Sequence, residues 1–229
     1  MIQTSLESNG ARLIGTQSGE SASFLLLHAG GERRHVWRPV QDRISRSGFG
    51  SIAFDQRGHG ESQGSVSDGL ETYASDAANM LRAYPGARIA VGASLGGMAL
   101  MLACSDETVR ARLSGLVLVD VVPAPASDRV RSFLAHQGET LAASPLVDDI
   151  LSKATPLQKA IAQFSRPILL IRAGQKGPMS DAEVSRLREL CPQLNVAHVD
   201  AAGHLIARDA PIALADIILN FEYMHRALA

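Results

Sequence analysis

Lysine is scarce in this chain: three occur among 22 Lys and Arg residues, against 23 Asp and Glu, for a formal net charge of −1. With no excess of either sign, neither nucleic acid nor an anionic membrane surface is expected as a partner. Cysteine is almost as rare, and Cys104 and Cys191 cannot build a disulfide framework, which points to a reducing compartment. No apolar run reaches the 18 residues a membrane-spanning helix needs. Met1–Glu20 is polar and mixed, without the apolar core of a secretory signal, so the expected location is cytoplasmic. Aromatics make up 4% of the chain, and Trp37 is the single tryptophan. No repeat, low-complexity stretch or interdomain linker is visible.

What is present is an ordinary globular composition, 46% hydrophobic and 20% charged. At 229 residues the chain is expected to form one α/β domain over 1–229. Leu6–Gly15 alternates around Asn9-Gly10, the signature of an antiparallel hairpin. Strand and helix patterns then alternate. Strands are expected over Ser23–His28, Gly50–Phe54, Ala87–Val91, Gly115–Asp120, Pro167–Arg172 and Asn195–Val199. Several are continuous apolar runs, as in parallel strands covered on both faces. Helices are expected near His35–Ser47, Leu70–Ala83, Leu95–Cys104, Ser180–Leu190 and Ala210–Ala227. Ser180 and Glu183 have capping-box spacing. The fold class is therefore α/β, with a mostly parallel central sheet, an N-terminal antiparallel hairpin and helices on both faces. One segment breaks the rhythm: 122–165 separates two strands and holds prolines 123, 125, 145 and 156, with short helices expected around Asp128–His136, Leu146–Lys153 and Leu157–Phe164. A connection this long points to an active-site lid.

Within Ala87–Ala103, a β-branched run breaks at Gly92-Ala93-Ser94-Leu95-Gly96-Gly97 and resumes as an Ala- and Leu-rich helix. This is G-x-S-x-G in strand–turn–helix context, which lifts a serine hydroxyl above a sheet and aims helix N–H groups at it. Serine needs such activation to act as a nucleophile, so Ser94 is the expected nucleophile of acyl-transfer chemistry. A second match, Gly60-Glu61-Ser62-Gln63-Gly64, lies in a polar stretch with no helix after it, and Ser62 reads as a loop residue.

Acyl transfer also needs a base, an orienting acid and oxyanion donors, expected at the carboxyl ends of parallel strands. His204, in a short loop after the last strand, and His28, at the end of the first apolar strand, both occupy such positions. His59 reads as an anchor for a glycine-rich loop, and His35, His136, His198 and His225 as peripheral. His28-Ala29-Gly30-Gly31 offers backbone N–H groups, so Gly30 and Leu95 are the expected oxyanion donors. Arg33 and Arg34 border this turn and read as a solvated helix start.

Four segments in order — the His28-Ala29-Gly30-Gly31 turn, Asp55-Gln56-Arg57-Gly58-His59-Gly60-Glu61-Ser62, the Ser94 elbow and Gly203-His204 — resemble the α/β-hydrolase fold superfamily over nearly the whole chain. The second is similar to the family's structural D-x-R-G-x-G-x-S segment. The resemblance implies a serine-nucleophile member with His204 as base and a short helical lid, 122–165, inserted between strands six and seven. The family's usual acid position after the seventh strand falls near Gly177, and no carboxylate occurs from Arg172 to Ser180. Asp120, after the sixth strand as in a minority of the family, is the expected acid, with Asp181, Asp200 or the absence of a functional acid as alternatives. The implied function is hydrolysis of a small or medium carboxylic ester or lactone, or of a C–C bond beside a ketone, without cofactor or metal. Trp37, Phe133 and Phe164 are the expected aromatic pocket and lid residues. A cofactor-free oxygenase using a His204/Asp120 dyad and a non-catalytic ligand-binding protein stay open as alternatives. The partner expected is a small-molecule substrate, and the sequence leaves oligomeric state open.

Overall fold

A computed structural model describes residues 1–136, 142–174 and 178–226. Its centre is an eight-stranded sheet in the order β1-β2-β4-β3-β5-β6-β7-β8. β1 (Ile2–Ser8) and β2 (Ala11–Ser18) form the antiparallel hairpin. Its turn places Asn9 at φ 48° and Gly10 at φ 71°, the left-handed pair that a type I′ turn requires and Asn-Gly supplies. β2 joins the sheet antiparallel to β4 (Gly50–Phe54). β4, β3 (Ala22–Leu27), β5 (Ile89–Ala93), β6 (Gly115–Val119), β7 (Ile168–Ala173) and β8 (Leu194–Val199) run parallel.

The continuous apolar runs are explained by two cores. Leu25, Leu27, Leu116, Leu118, Ile168 and Leu170 face one, beneath α2 (Leu70–Ala83), α3 (Leu95–Ala103) and α7 (Ala154–Ala162). Their neighbours Phe24, Leu26, Val117, Val119, Leu169 and Ile171 face the other, beneath α1 (Arg38–Arg46) and α10 (Pro211–Arg226). Side chains of period two thus bury both sets, each full burial being worth about 1.5–3 kcal/mol.

The remaining elements are a 3₁₀ turn over Arg34–Trp37, α4 (Glu107–Arg110), α5 (Ser127–Ala135), α6 (Pro145–Ser152), α8 (Asp181–Leu190) and α9 (Ile206–Asp209). The capping box at Ser180 and Glu183 closes in both directions. Helix α4 was not foreseen; Asp106 caps it by accepting from the Thr108 N–H at 2.7 Å. Four residues are too few to print a helical period on a sequence. Among the described residues, no helix is long and apolar enough to cross a membrane.

Candidate active site

The strand ends converge on a cavity of about 510 Å³ lined by Gly30, Ser94, Leu95, Asp120 and His204 among others. Ser94 follows β5 at φ 45°, ψ −112°, a strained conformation for a residue with a Cβ and one that clusters at functional sites. Its N–H donates to Val119 O at 3.2 Å, and Gly96 N–H donates to His28 O, also at 3.2 Å. The elbow's glycines are a packing necessity. A Cβ on Gly92 would lie 2.5 Å from Gly97 N, one on Gly96 2.5 Å from Leu27 O, and one on Gly97 2.5 Å from Val121 Cγ1. Helix α3 therefore starts directly against β3, β5 and the end of β6.

The turn after β3 closes through Glu32 N–H to Ala29 O at 3.1 Å, with Gly31 at φ 78°, the type II geometry that asks for glycine. A Cβ on Gly30 would sit 3.8 Å from the Leu95 side chain, so this turn lies beside the elbow. Among the described residues, no hydrogen bond engages the N–H of Gly30 or of Leu95. His59 steadies the turn: Gly31 N–H donates to its Nε2 at 3.1 Å, and its Nδ1 lies 2.8 Å from Arg57 O.

His204 and Asp120 meet 84 residues apart in sequence, Nδ1 to Oδ2 at 2.8 Å. Asp120 is 3% exposed, and its other oxygen accepts from Ala173 N–H at 2.9 Å. Its φ of 50° turns the side chain off the end of β6, a conformation Asp tolerates better than most residues. Phe133 from α5 packs edge-on against the His204 ring, centroids 4.9 Å apart, and lines the cavity. Asp181, by contrast, is an exposed partner of Arg172 at 2.7 Å, and Asp200 is exposed. Gly177 lies outside the described residues.

His28 is a buried structural ring. Its Nε2 accepts from Gln56 N–H at 3.0 Å and its Nδ1 lies 2.7 Å from Ala29 O. Burial pushes its pKa down to about 4, with His59 adding to the effect against Ala29 and Asp55.

Three sequence expectations need correction. Trp37 and Phe164 are both 0% exposed and belong to the two cores, on opposite faces of the sheet. Neither lines the cavity, because Trp37, ending the 3₁₀ turn, and Phe164, in the loop after α7, are both turned into the cores. Arg34 is no solvated helix start. It is 3% exposed and ion-paired with Asp55 and Glu61, and Asp55 Oδ1 also accepts Arg34 N–H at 2.6 Å. Ser62, as expected, is a loop residue, and its hydroxyl donates to Asp55 O at 2.7 Å and accepts from Ile14 N–H at 2.8 Å.

Sequence reasoning missed two carboxyls on the cavity wall, Glu32 and Glu183. Burial raises the Glu32 pKa, opposed by the Ala29 N–H, Arg208 and His204. Burial would raise that of Glu183 too, but hydrogen bonds from Ser180 and Ala126 and the Arg129 charge outweigh it and hold it low. The capping box flagged Glu183 as a helix residue, and nothing in it signals the bond to Ala126 N–H at 2.7 Å. Among the described residues, no cluster of His, Cys, Asp and Glu is arranged to hold a metal ion.

The alpha/beta hydrolase fold family model matches residues 22–150 of the chain. Esterase Rv0045c of Mycobacterium tuberculosis is 28% identical over 253 residues, covering 87% of this chain and 82% of the relative. Protein phosphatase methylesterase 1 of Bos taurus is 35% identical over 120 residues, 49% of this chain, and the match spans only 31% of that relative's length. Among solved structures, the thioesterase domain from the curacin biosynthetic pathway superposes with a TM-score of 0.75 at 18% identity, covering 96% of this chain and 99% of that one. An E-2-(acetamidomethylene)succinate hydrolase gives 0.74 at 23%, covering 96% and 98%. At such identities the structural likeness speaks for the fold.

Proposed function

Since the chain belongs to the alpha/beta hydrolase fold family and is a hydrolase, we propose that it cleaves a small or medium carboxylic ester or lactone through an acyl-enzyme on Ser94. The observation that carries this reading is the 2.8 Å contact between His204 Nδ1 and Asp120 Oδ2, on the wall of the cavity that Ser94 enters from its elbow.

In this mechanism Asp120 accepts the His204 Nδ1–H and so leaves Nε2 unprotonated. Nε2 takes the Ser94 proton as Oγ bonds to the substrate carbonyl carbon. The carbonyl oxygen gains the electron pair and is held by the N–H groups of Gly30 and Leu95. Collapse breaks the bond to the leaving alcohol, which takes the proton from His204. Water repeats the sequence, releasing the acid and restoring Ser94. Asp120 stabilises the imidazolium that forms. The segment 122–165 acts as a lid: α5 and α6 contribute Phe133, Leu134, Leu146 and Ile150 to the cavity wall. The 1–229 chain is one domain in this reading. The two cysteines, both buried and free, accord with a reducing, cytoplasmic setting.

Labelling with a fluorophosphonate probe tests the assignment. Wild type is expected to label, and Ser94→Ala and His204→Ala to lose labelling. Asp120→Asn is expected to slow nitrophenyl-ester turnover by about 10³–10⁴-fold, the usual effect of presenting histidine in the wrong tautomer. Full activity in Asp120→Asn would remove that acid. Normal turnover by Ser94→Ala with oxygen consumed would replace hydrolysis by cofactor-free oxygenation. A wild type inert to probe and esters alike would make the protein a ligand binder.

A further inference from the structure

The cavity has one carboxyl group that the mechanism does not use and that the protein itself leaves largely unserved. Asp120 spends both oxygens, on Ala173 N–H and His204. Glu183 spends its oxygens on Ala126 N–H and on the N–H and hydroxyl of Ser180. Glu32 differs. It is half-buried on the cavity wall, and among the described residues its carboxylate accepts a single, long hydrogen bond, from Ala29 N–H at 3.4 Å. Among the described residues, no cationic side chain comes within ion-pair distance of it.

Arg208 and His204 act on it only through space. Arg208 is directed to Asp209, Nε to Oδ1 at 3.0 Å, and Arg33 is exposed at the rim, where solvent screens it. Burial disfavours the charged form of Glu32, the behaviour of a carboxylate short of donors. A partly desolvated carboxylate of this kind is stabilised by any ligand that brings a donor.

Its position says which part of a ligand that would be. Glu32 is two residues beyond Gly30 and within electrostatic reach of His204. The base of a serine hydrolase hands its proton to the leaving group, so the histidine side of the cavity is the alcohol side. The lid side is aliphatic, with Val130, Leu134, Leu146, Val147, Ile150 and Leu151, a wall suited to an alkyl acyl chain and to no charge.

The geometry points to Glu32 as a specificity-determining carboxylate that receives a hydrogen-bond donor, in the strongest case an ammonium group, on the alcohol portion of the ester. This rests on the esterase reading above. The site is thereby bipartite: the acyl chain lies against the lid, and a cationic or donor-bearing alcohol lies against Glu32. Esters of anionic alcohols are rejected by the same charge.

Three hexanoyl esters test it at pH 7: of 2-(dimethylamino)ethanol, of neutral 3-methylbutanol and of glycolate. Wild type is expected to show a kcat/KM for the cationic ester at least tenfold above that for the anionic one. In Glu32→Gln that ratio is expected to fall within threefold of unity, with the neutral ester between the two in wild type. The ratio is internal to each protein, so partial misfolding of the variant cancels. An unchanged ratio in Glu32→Gln overturns the proposal while leaving the esterase intact. If wild type cleaves none of the three, the esterase reading fails. Selectivity is then read by calorimetric binding of the intact esters to wild type and Glu32→Gln, and equal affinities for cationic and anionic esters overturn the proposal.

Discussion

At the scale of single residues, His28 makes a testable contribution to pH-dependent stability. Its ring is fully buried and bonded at both nitrogens, and burial lowers its pKa to about 4. An unfolded histidine titrates near 6.5. Between those values the unfolded chain binds a proton that the folded chain refuses, so stability falls as pH falls through that window. The loss attributable to His28 approaches about 3 kcal/mol near pH 4 and vanishes above pH 6.5. Urea titrations at pH 7 and 4.5 check it. His28→Gln is expected to be less stable than wild type at pH 7 but to lose less on acidification; equal losses would refute the assignment. The meeting of Ser94, His204 and Gly30 at one cavity is legible in sequence because each sits in a local motif at a strand end. The burial of Trp37 and Phe164 is not, because which core a side chain at a turn or loop enters is decided by packing partners far along the chain.

At the scale of elements, the meeting of β5 and α3 leaves no room for an added methyl group. A Cβ on Gly97 would sit 2.5 Å from Val121 Cγ1 and 2.9 Å from Gly92 O, and the second contact is backbone that cannot yield. Alanine in a helix interior normally gains about 1 kcal/mol over glycine. Here overpacking reverses the sign, and Gly97→Ala is expected to destabilise by about 1–3 kcal/mol, with a lower kcat as the elbow shifts. Chemical denaturation alongside ester kinetics checks both, and a stabilised variant would show that the helix can move away freely. Element types followed from periodicity, and the capping box fixed the start of α8 at Asp181. The hairpin proved longer than its alternation indicated, since β1 reaches back to Ile2 through exposed residues that carry no hydrophobic pattern.

At the scale of the whole molecule, the segment 122–165 is fastened to the body of the fold at specific points. Helix α2 begins after Gly69, which has no side chain to cap it. Asp149 of α6 takes that role from across the fold, accepting Leu70 N–H at 2.7 Å. Lys153 adds an ion pair to Glu71 at 2.6 Å, and Glu183 holds Ala126 at the start of α5. Losing the cap should cost about 1 kcal/mol. Asp149→Ala is therefore expected to lower stability by that amount and to raise KM several-fold while changing kcat less, because α6 also forms cavity wall. A stability loss with KM unchanged would confine Asp149 to capping α2.

The sequence by itself determined the order of strands and helices, the hairpin, the elbow at Ser94 and the loops that carry Gly30 and His204. Those properties are local: turn conformations, periodicity and the glycines that let backbones touch are written in neighbouring residues. Only the tertiary structure decided which carboxylate lies against His204, why Arg34 is buried, and that Glu32 faces the cavity. Each of these depends on groups brought together across the sheet, as Asp120 and His204 are from 84 positions apart, and a carboxylate's charge state and partners are set by what surrounds it in space.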